Sequence, residues 1–271
     1  MLHKNAKLII LVLLIGAFSC VPQSDITRGT EEENSVSSSE IRNKASVQYA
    51  GKVALVIGNW KYAYKPLRNP QNDARDMTAT LKRLGFSVIY RENLGQIDME
   101  KAVVSFKKKL EGKQVGLFYY AGHGAQTKGR NYLLPVDLAV PEPSALKYKA
   151  VNAQWVVDAM EGAKSQVNIV ILDACRSVLI ARGDGDSEGL AAMNAPLGTI
   201  VSFAAGVGEK ASDGQGRNGL YTQHLLKFME QPGLTIEDVF KQTRQQVVIK
   251  SDRAQVPWVS SSLIGEFCIF M

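Results

Sequence analysis

Two short stretches of this 271-residue chain set a reactive side chain beside the end of an apolar run. In Tyr119-Tyr120-Ala121-Gly122-His123-Gly124 an imidazole stands between two glycines, and in Asp173-Ala174-Cys175-Arg176 a thiol follows a run of aliphatic residues. The nucleophile is the thiolate, whereas a free thiol is mostly protonated at neutral pH, so a cysteine that attacks a carbonyl needs a base beside it. His123 would take the Cys175 proton and later return it to a leaving amine. The flanking glycines would let a substrate backbone approach closely. The amides of Gly124 and Cys175 could then donate to the oxyanion of an acyl-transfer intermediate. Each residue alone has a plainer explanation, because a cysteine closing an apolar strand is commonly a packed core thiol. Their combination at two strand ends is what points to chemistry. His224, in a helical pattern, and Cys268, in an apolar run, lack that setting and read as structural.

Those ends belong to a regular alternation of elements. Residues 53–57, 86–90, 115–120, 167–172 and 199–205 are short apolar runs that read as strands. Residues 267–270 read as a last strand. Helical periods cover residues 72–84, 99–110, 152–162, 220–229 and 236–249. Strands alternating with helices imply an α/β fold, a mostly parallel sheet covered on both faces. In such sheets functional residues gather beyond the carboxyl ends of strands, and adjacent parallel strands would bring His123 and Cys175 together.

With 45% hydrophobic and 21% charged residues, the chain can bury a proper core. The net charge of +6 is spread along it apart from Lys107-Lys108-Lys109, read as a solvated helix face, and no nucleic-acid module is visible. Cys20, Cys175 and Cys268 stand far apart, which provides neither a disulfide framework nor metal-ligand spacing. Lys4 and Lys7 precede an apolar run over residues 8–18, the pattern of an export signal too short to span a bilayer. Its ending, Gly16-Ala17-Phe18-Ser19-Cys20, resembles a bacterial lipoprotein signal, in which Cys20 would be lipidated and hold the protein to a membrane. An ordinary cleaved signal, leading to a periplasmic or extracellular protein, is the alternative. Residues 21–50, with Glu31-Glu32-Glu33 and Ser37-Ser38-Ser39, bury too little to fold and read as a flexible tether, leaving residues 51–271 as the domain.

The spacing has a family parallel. Caspases carry Gln-Ala-Cys with a histidine about 50 residues upstream, and here Asp173-Ala174-Cys175 follows His123 by 52 residues. Together with "ALVIGNWKY", "LRNPQNDARDM", "LFYYAGHGAQ", "NYLLPVD", "ILDACR" and "QVPWVSSSL", it makes the region from Lys52 onward resemble the bacterial branch of the caspase family, related to metacaspases and paracaspases. The resemblance implies a three-layer sandwich around a mostly parallel six-stranded sheet. It also implies a cysteine endopeptidase with His123 and Cys175 as the catalytic pair.

Departures from caspases suggest the specificity. Asp173 stands where caspases have Gln, as in metacaspases and paracaspases, where it lines a pocket for Arg or Lys. Asn72-Asp73 matches a second pocket aspartate of those relatives. Two carboxylates would favour a guanidinium by charge and bidentate geometry, although Asp73 also suits a helix N-terminus and a buried Arg68 would neutralise the pocket. Metacaspases bind activating calcium through aspartates. Asp137 matches one, but its partner is missing around residues 150–153, so no cofactor is expected. Ala121 replaces a serine of metacaspases. The expected partners are peptides or proteins with basic residues and, through Cys20, a membrane. Arg182, in the long loop after Cys175, is a candidate self-cut site, and the sequence leaves open whether activity requires that cut.

The competing function is a catalytically silent module that binds basic peptides. A nucleotide-binding domain is suggested by Gly214-Gln215-Gly216-Arg217-Asn218-Gly219, which fits the dinucleotide fingerprint. The polar residues 209–213, however, separate it from the preceding strand where a tight strand-to-helix turn is required. It reads instead as a mobile loop beside the cleft.

Overall fold

The computed structural model describes residues 51–139, 143–176, 190–206 and 216–270, with backbone alone at Cys175 and Arg176. Strand β1 (Lys52–Gly58) lies between β2 (Phe86–Glu92) and β3 (Val115–Thr127). Beyond β3 come β6 (Val167–Arg176), β7 (Thr199–Phe203) and β8 (Trp258–Ser261), giving the order β2-β1-β3-β6-β7-β8. All pairs in this path are parallel except β7 with β8. Parallel strands need crossovers, supplied here by α1 (Pro70–Arg83), α2 (Gln96–Leu110) and α4 (Ala153–Gly162). Helices α5 (Leu220–Met229) and α6 (Ile236–Lys250) follow β7.

Side-chain alternation along β3 divides the interior in two. Leu117, Tyr119 and Ala121 pack with Met77 and Leu81 of α1, Leu225 of α5 and Phe240 of α6. Phe118 and Tyr120 face the other way, against Val103 and Phe106 of α2 and Val156 and Met160 of α4. Every residue of β3 is buried, the condition under which a strand reads as a continuous apolar run. The result is the three-layer α/β sandwich expected.

Five elements differ from expectation, and among the described residues the sheet has eight strands rather than six. Strand β3 does not stop at Tyr120 but runs through His123 to Thr127, held by an antiparallel hairpin with β4 (Arg130–Leu133). The turn residues Lys128 and Gly129 both have positive φ, 49° and 71°, the signature of a two-residue type I′ turn. Lys in place of Asn or Asp hides that turn from a sequence reading. A short helix α3 (Pro143–Lys149) and the two-residue β5 (Val151–Asn152), paired with β4, complete this side. The last strand is β8 rather than residues 267–270, which make only a bridge between Thr235 and Cys268. Phe267, Cys268 and Ile269 are apolar because they are buried, whereas β8 is an exposed edge with no apolar run. Cys268 is also disulfide-bonded, against the expectation of three separate thiols. Its partner sulfur, like the signal, Cys20, the tether and Arg182, lies outside the described residues.

Candidate active site

The pairing of β3 with β6 brings the two reactive stretches into line. In this parallel ladder Ala121 pairs with Asp173, His123 with Cys175 and Gly124 with Arg176. The His123 and Cys175 backbones therefore lie one strand spacing apart, about 4.8 Å. Both belong to continuous strands rather than loops, so the ladder sets their separation.

His123 is 3% exposed and its ring is oriented from the β1–α1 connection. Nε2 lies 2.7 Å from the main-chain carbonyl oxygen of Lys65. A carbonyl only accepts, so Nε2 carries the proton, and in the neutral ring the lone pair sits on Nδ1. The connection that presents Lys65 is itself tied down. Asn59 donates its amide to the Ala121 carbonyl at 2.9 Å, Leu67 donates to Trp60 at 3.1 Å, and the Asn93 side chain accepts from Trp60 and Lys61. The Tyr62 ring packs on the imidazole with centroids 4.5 Å apart. Its hydroxyl accepts the His123 N–H at 3.0 Å and lies 3.1 Å from the Tyr120 hydroxyl.

The glycines on either side of His123 answer to this packing. A Cβ on Gly122 would sit 2.7 Å from the hydroxyls of Tyr62 and Tyr120. One on Gly124 would sit 3.0 Å from the Ala174 Cβ and 3.3 Å from Leu190. The expectation that they clear space for a substrate backbone is corrected accordingly: what occupies that space is the protein's own side chains.

The two aspartates converge on the N-terminus of α5. Asp73, in the first turn of α1 and 2% exposed, accepts the Gly219 N–H at 2.9 Å, and Gly219 is the N-cap of α5. Asp173, 9% exposed, accepts from the Thr222 hydroxyl at 2.6 Å, and Thr222 lies in the first turn of α5. The unpaired N–H groups of a helix start favour negative charge there. The Tyr119 hydroxyl lies 2.6 Å from that of Thr222. Because Thr222 gives its only hydroxyl proton to Asp173, Tyr119 is the donor to Thr222. Burial, then the charges of Asp173 and Asp73, push the Tyr119 phenol far above its ordinary range, so one buried hydroxyl senses both carboxylates.

A family model described as "Caspase domain" matches residues 51–268. The chain belongs to the caspase family. The human mucosa-associated lymphoid tissue lymphoma translocation protein 1 is 32% identical over 185 residues, which are 66% of this chain and 21% of that protein. Pig caspase-1 is 26% identical over 231 residues, 76% of this chain and 56% of that protein. The chain thus spans about a fifth of the human relative and about half of the porcine one.

Arg68 is exposed rather than buried with Asp73. Asp137 caps α2, accepting the Gln96 N–H at 3.3 Å, and a Cβ on Gly95 would lie 2.4 Å from its Oδ2. Among the described residues no three His, Cys, Asp or Glu side chains converge as a metal site, and no helix is long and apolar enough to cross a membrane. His224 lies on α5, its pKa lowered by burial and by Lys227 and Lys250. Of the glycine-rich stretch, residues 217–219 are hydrogen-bonded to α1, and residues 214 and 215 lie outside the described residues. Sequence reasoning missed Lys65, whose contribution is a carbonyl that any residue carries. It also missed Tyr62 and Thr222, although Tyr62 closes "ALVIGNWKY" and Thr222 follows the Gly219 helix start.

Proposed function

We propose that this caspase domain is a cysteine endopeptidase that cleaves after Arg or Lys through an acyl-enzyme. The observation that carries the reading is the register of His123 against Cys175. In the cycle, His123 Nδ1 takes the Cys175 proton and the thiolate attacks the scissile carbonyl carbon. The N–H groups of Gly124 and Cys175 stabilise the oxyanion. As the intermediate collapses, the C–N bond breaks and His123 gives its proton to the leaving amine. His123 then deprotonates a water, which cleaves the thioester, releasing the acid and restoring the thiol. The Lys65 carbonyl supports this role for the ring, because it holds Nε2–H and leaves Nδ1 basic.

Asp73 and Asp173 supply the preference for a basic side chain. What supports this is that both carboxylates are buried and both accept hydrogen bonds from the first residues of α5. The N-terminal sequence adds export, with lipidation at Cys20 as the anchor.

Hydrolysis of Arg-, Lys- and Asp-ended reporter peptides under thiol reductant tests the reading. The wild type should cleave the first two. Cys175→Ala and His123→Ala should each abolish turnover, and the double variant should be no worse than either, because the pair acts as a unit. Binding of basic peptides without cleavage would identify a silent module instead, and preference for Asp-ended peptides would overturn the pocket.

A further inference from the structure

The glycine-rich stretch that imitates a dinucleotide fingerprint has another use. Five hydrogen bonds join its residues Arg217, Asn218 and Gly219 to the start of α1. Asn72 Nδ2 donates to the Arg217 carbonyl at 2.9 Å. Asp76 takes Arg217 in a bidentate grip, Nε to Oδ2 at 3.0 Å and Nη2 to Oδ1 at 2.9 Å. Asn218 Nδ2 donates to Asp76 Oδ2 at 3.0 Å, and the Gly219 N–H reaches Asp73. Helix α5 begins at the next residue, and its Thr222 holds Asp173.

We propose that Asp76 is a positioning residue for specificity: by clamping Arg217 it fixes the α5 N-terminus that orients the Asp73 and Asp173 carboxylates. The proposal rests on those two residues forming the pocket for a basic side chain. The clamp is a poor source of stability, since the Arg217 and Asp76 side chains are 66% and 29% exposed and surface ion pairs contribute little. Its effect is geometric. Segment 217–219 places the Gly219 N–H against Asp73 and the first turn of α5 against Asp173, so each carboxylate is turned by a group the clamp holds. A guanidinium is a rigid planar fork that needs its acceptors correctly set, whereas an ammonium is a point charge that tolerates displacement. Loosening the clamp therefore costs Arg substrates more than Lys substrates.

Two charge removals separate this from a simple field effect. If the pair acts only through charge, Asp76→Ala weakens binding of any cation and Arg217→Ala strengthens it. If the clamp positions the pocket, both variants shift the same way. We expect Asp76→Ala and Arg217→Ala each to lower the Arg:Lys ratio of kcat/KM roughly three- to tenfold, mainly through KM, with the double variant no worse than either. Asp76→Glu, which keeps the charge and the fork, restores part of the ratio. Melting curves, with Asp76→Asn as a milder variant, verify that the folded protein is being assayed. Opposite shifts in the two Ala variants, or an unchanged ratio, overturn the clamp alone. A wild type that cleaves neither Arg nor Lys peptides overturns the pocket assignment and the clamp with it.

Discussion

The imidazole of His123 is held by the main-chain carbonyl of Lys65, 58 residues earlier in the chain, at 2.7 Å. The same connection supplies Tyr62, whose ring covers the imidazole and whose hydroxyl takes the His123 N–H. A strand residue in the middle of the sheet is thus steered by a segment that follows a different strand. Tyr62→Phe keeps the ring and removes the hydroxyl, leaving a buried N–H without that acceptor. Such a loss costs about 1–3 kcal/mol of stability. Displacement of His123, the proposed base, is expected to lower kcat on an Arg reporter by about ten- to a hundredfold. Thermal melts and steady-state kinetics check both, and an unchanged kcat would remove Tyr62 from the machinery.

Gly122 is required by shape. A methyl group there meets two phenolic oxygens at 2.7 Å, both in a hydrogen-bonded network on the Leu134 carbonyl. Gly122→Ala is expected to destabilise the domain by about 1–3 kcal/mol, the usual cost of overpacking. Combining it with Tyr62→Phe, which removes one of the two oxygens, should recover part of the loss. Full additivity in denaturant titrations would contradict the steric explanation.

Asp73→Asn and Asp173→Asn address the pocket. A charge-assisted contact contributes about 1.5–3 kcal/mol, so each change should lower kcat/KM for Arg peptides on the order of ten- to a hundredfold. Asp173→Asn should lower kcat as well, since Asp173 precedes Cys175, the proposed nucleophile, by two residues on β6. Thr222→Val, which removes the donor to Asp173, should follow Asp173→Asn in direction with a smaller effect. Retention of wild-type Arg cleavage by both Asn variants would rule out these residues as the pocket.

Lipidation of Cys20 predicts partition of the full chain into the detergent phase, and release to the aqueous phase on Cys20→Ser. With three cysteines in the chain, a thioether at Cys20 would leave the Cys268 disulfide only the sulfur of Cys175, so an anchored and active protein requires Cys268 in its reduced form. Mass spectrometry of the non-reduced protein distinguishes the two fates, and a Cys20–Cys268 peptide would exclude the anchor.

The sequence alone determined the α/β layering, because residues buried on both faces of a parallel sheet must be apolar without interruption. Strands β1, β2 and β7 and helices α1, α5 and α6 are legible for that reason. It also singled out His123 and Cys175 as the candidate pair for nucleophilic chemistry, since few side chains suit that task and both stand at the ends of apolar runs. Tertiary structure decided how they are held. Strand β8 is an exposed edge, and the β3–β4 turn uses Lys128 with positive φ, so neither leaves a composition signal. The orientation of His123 depends on a carbonyl, which every residue possesses and no side chain announces. The meeting of Asp73 and Asp173 at the start of α5 joins positions on three separate elements, α1, β6 and α5, that only packing brings together.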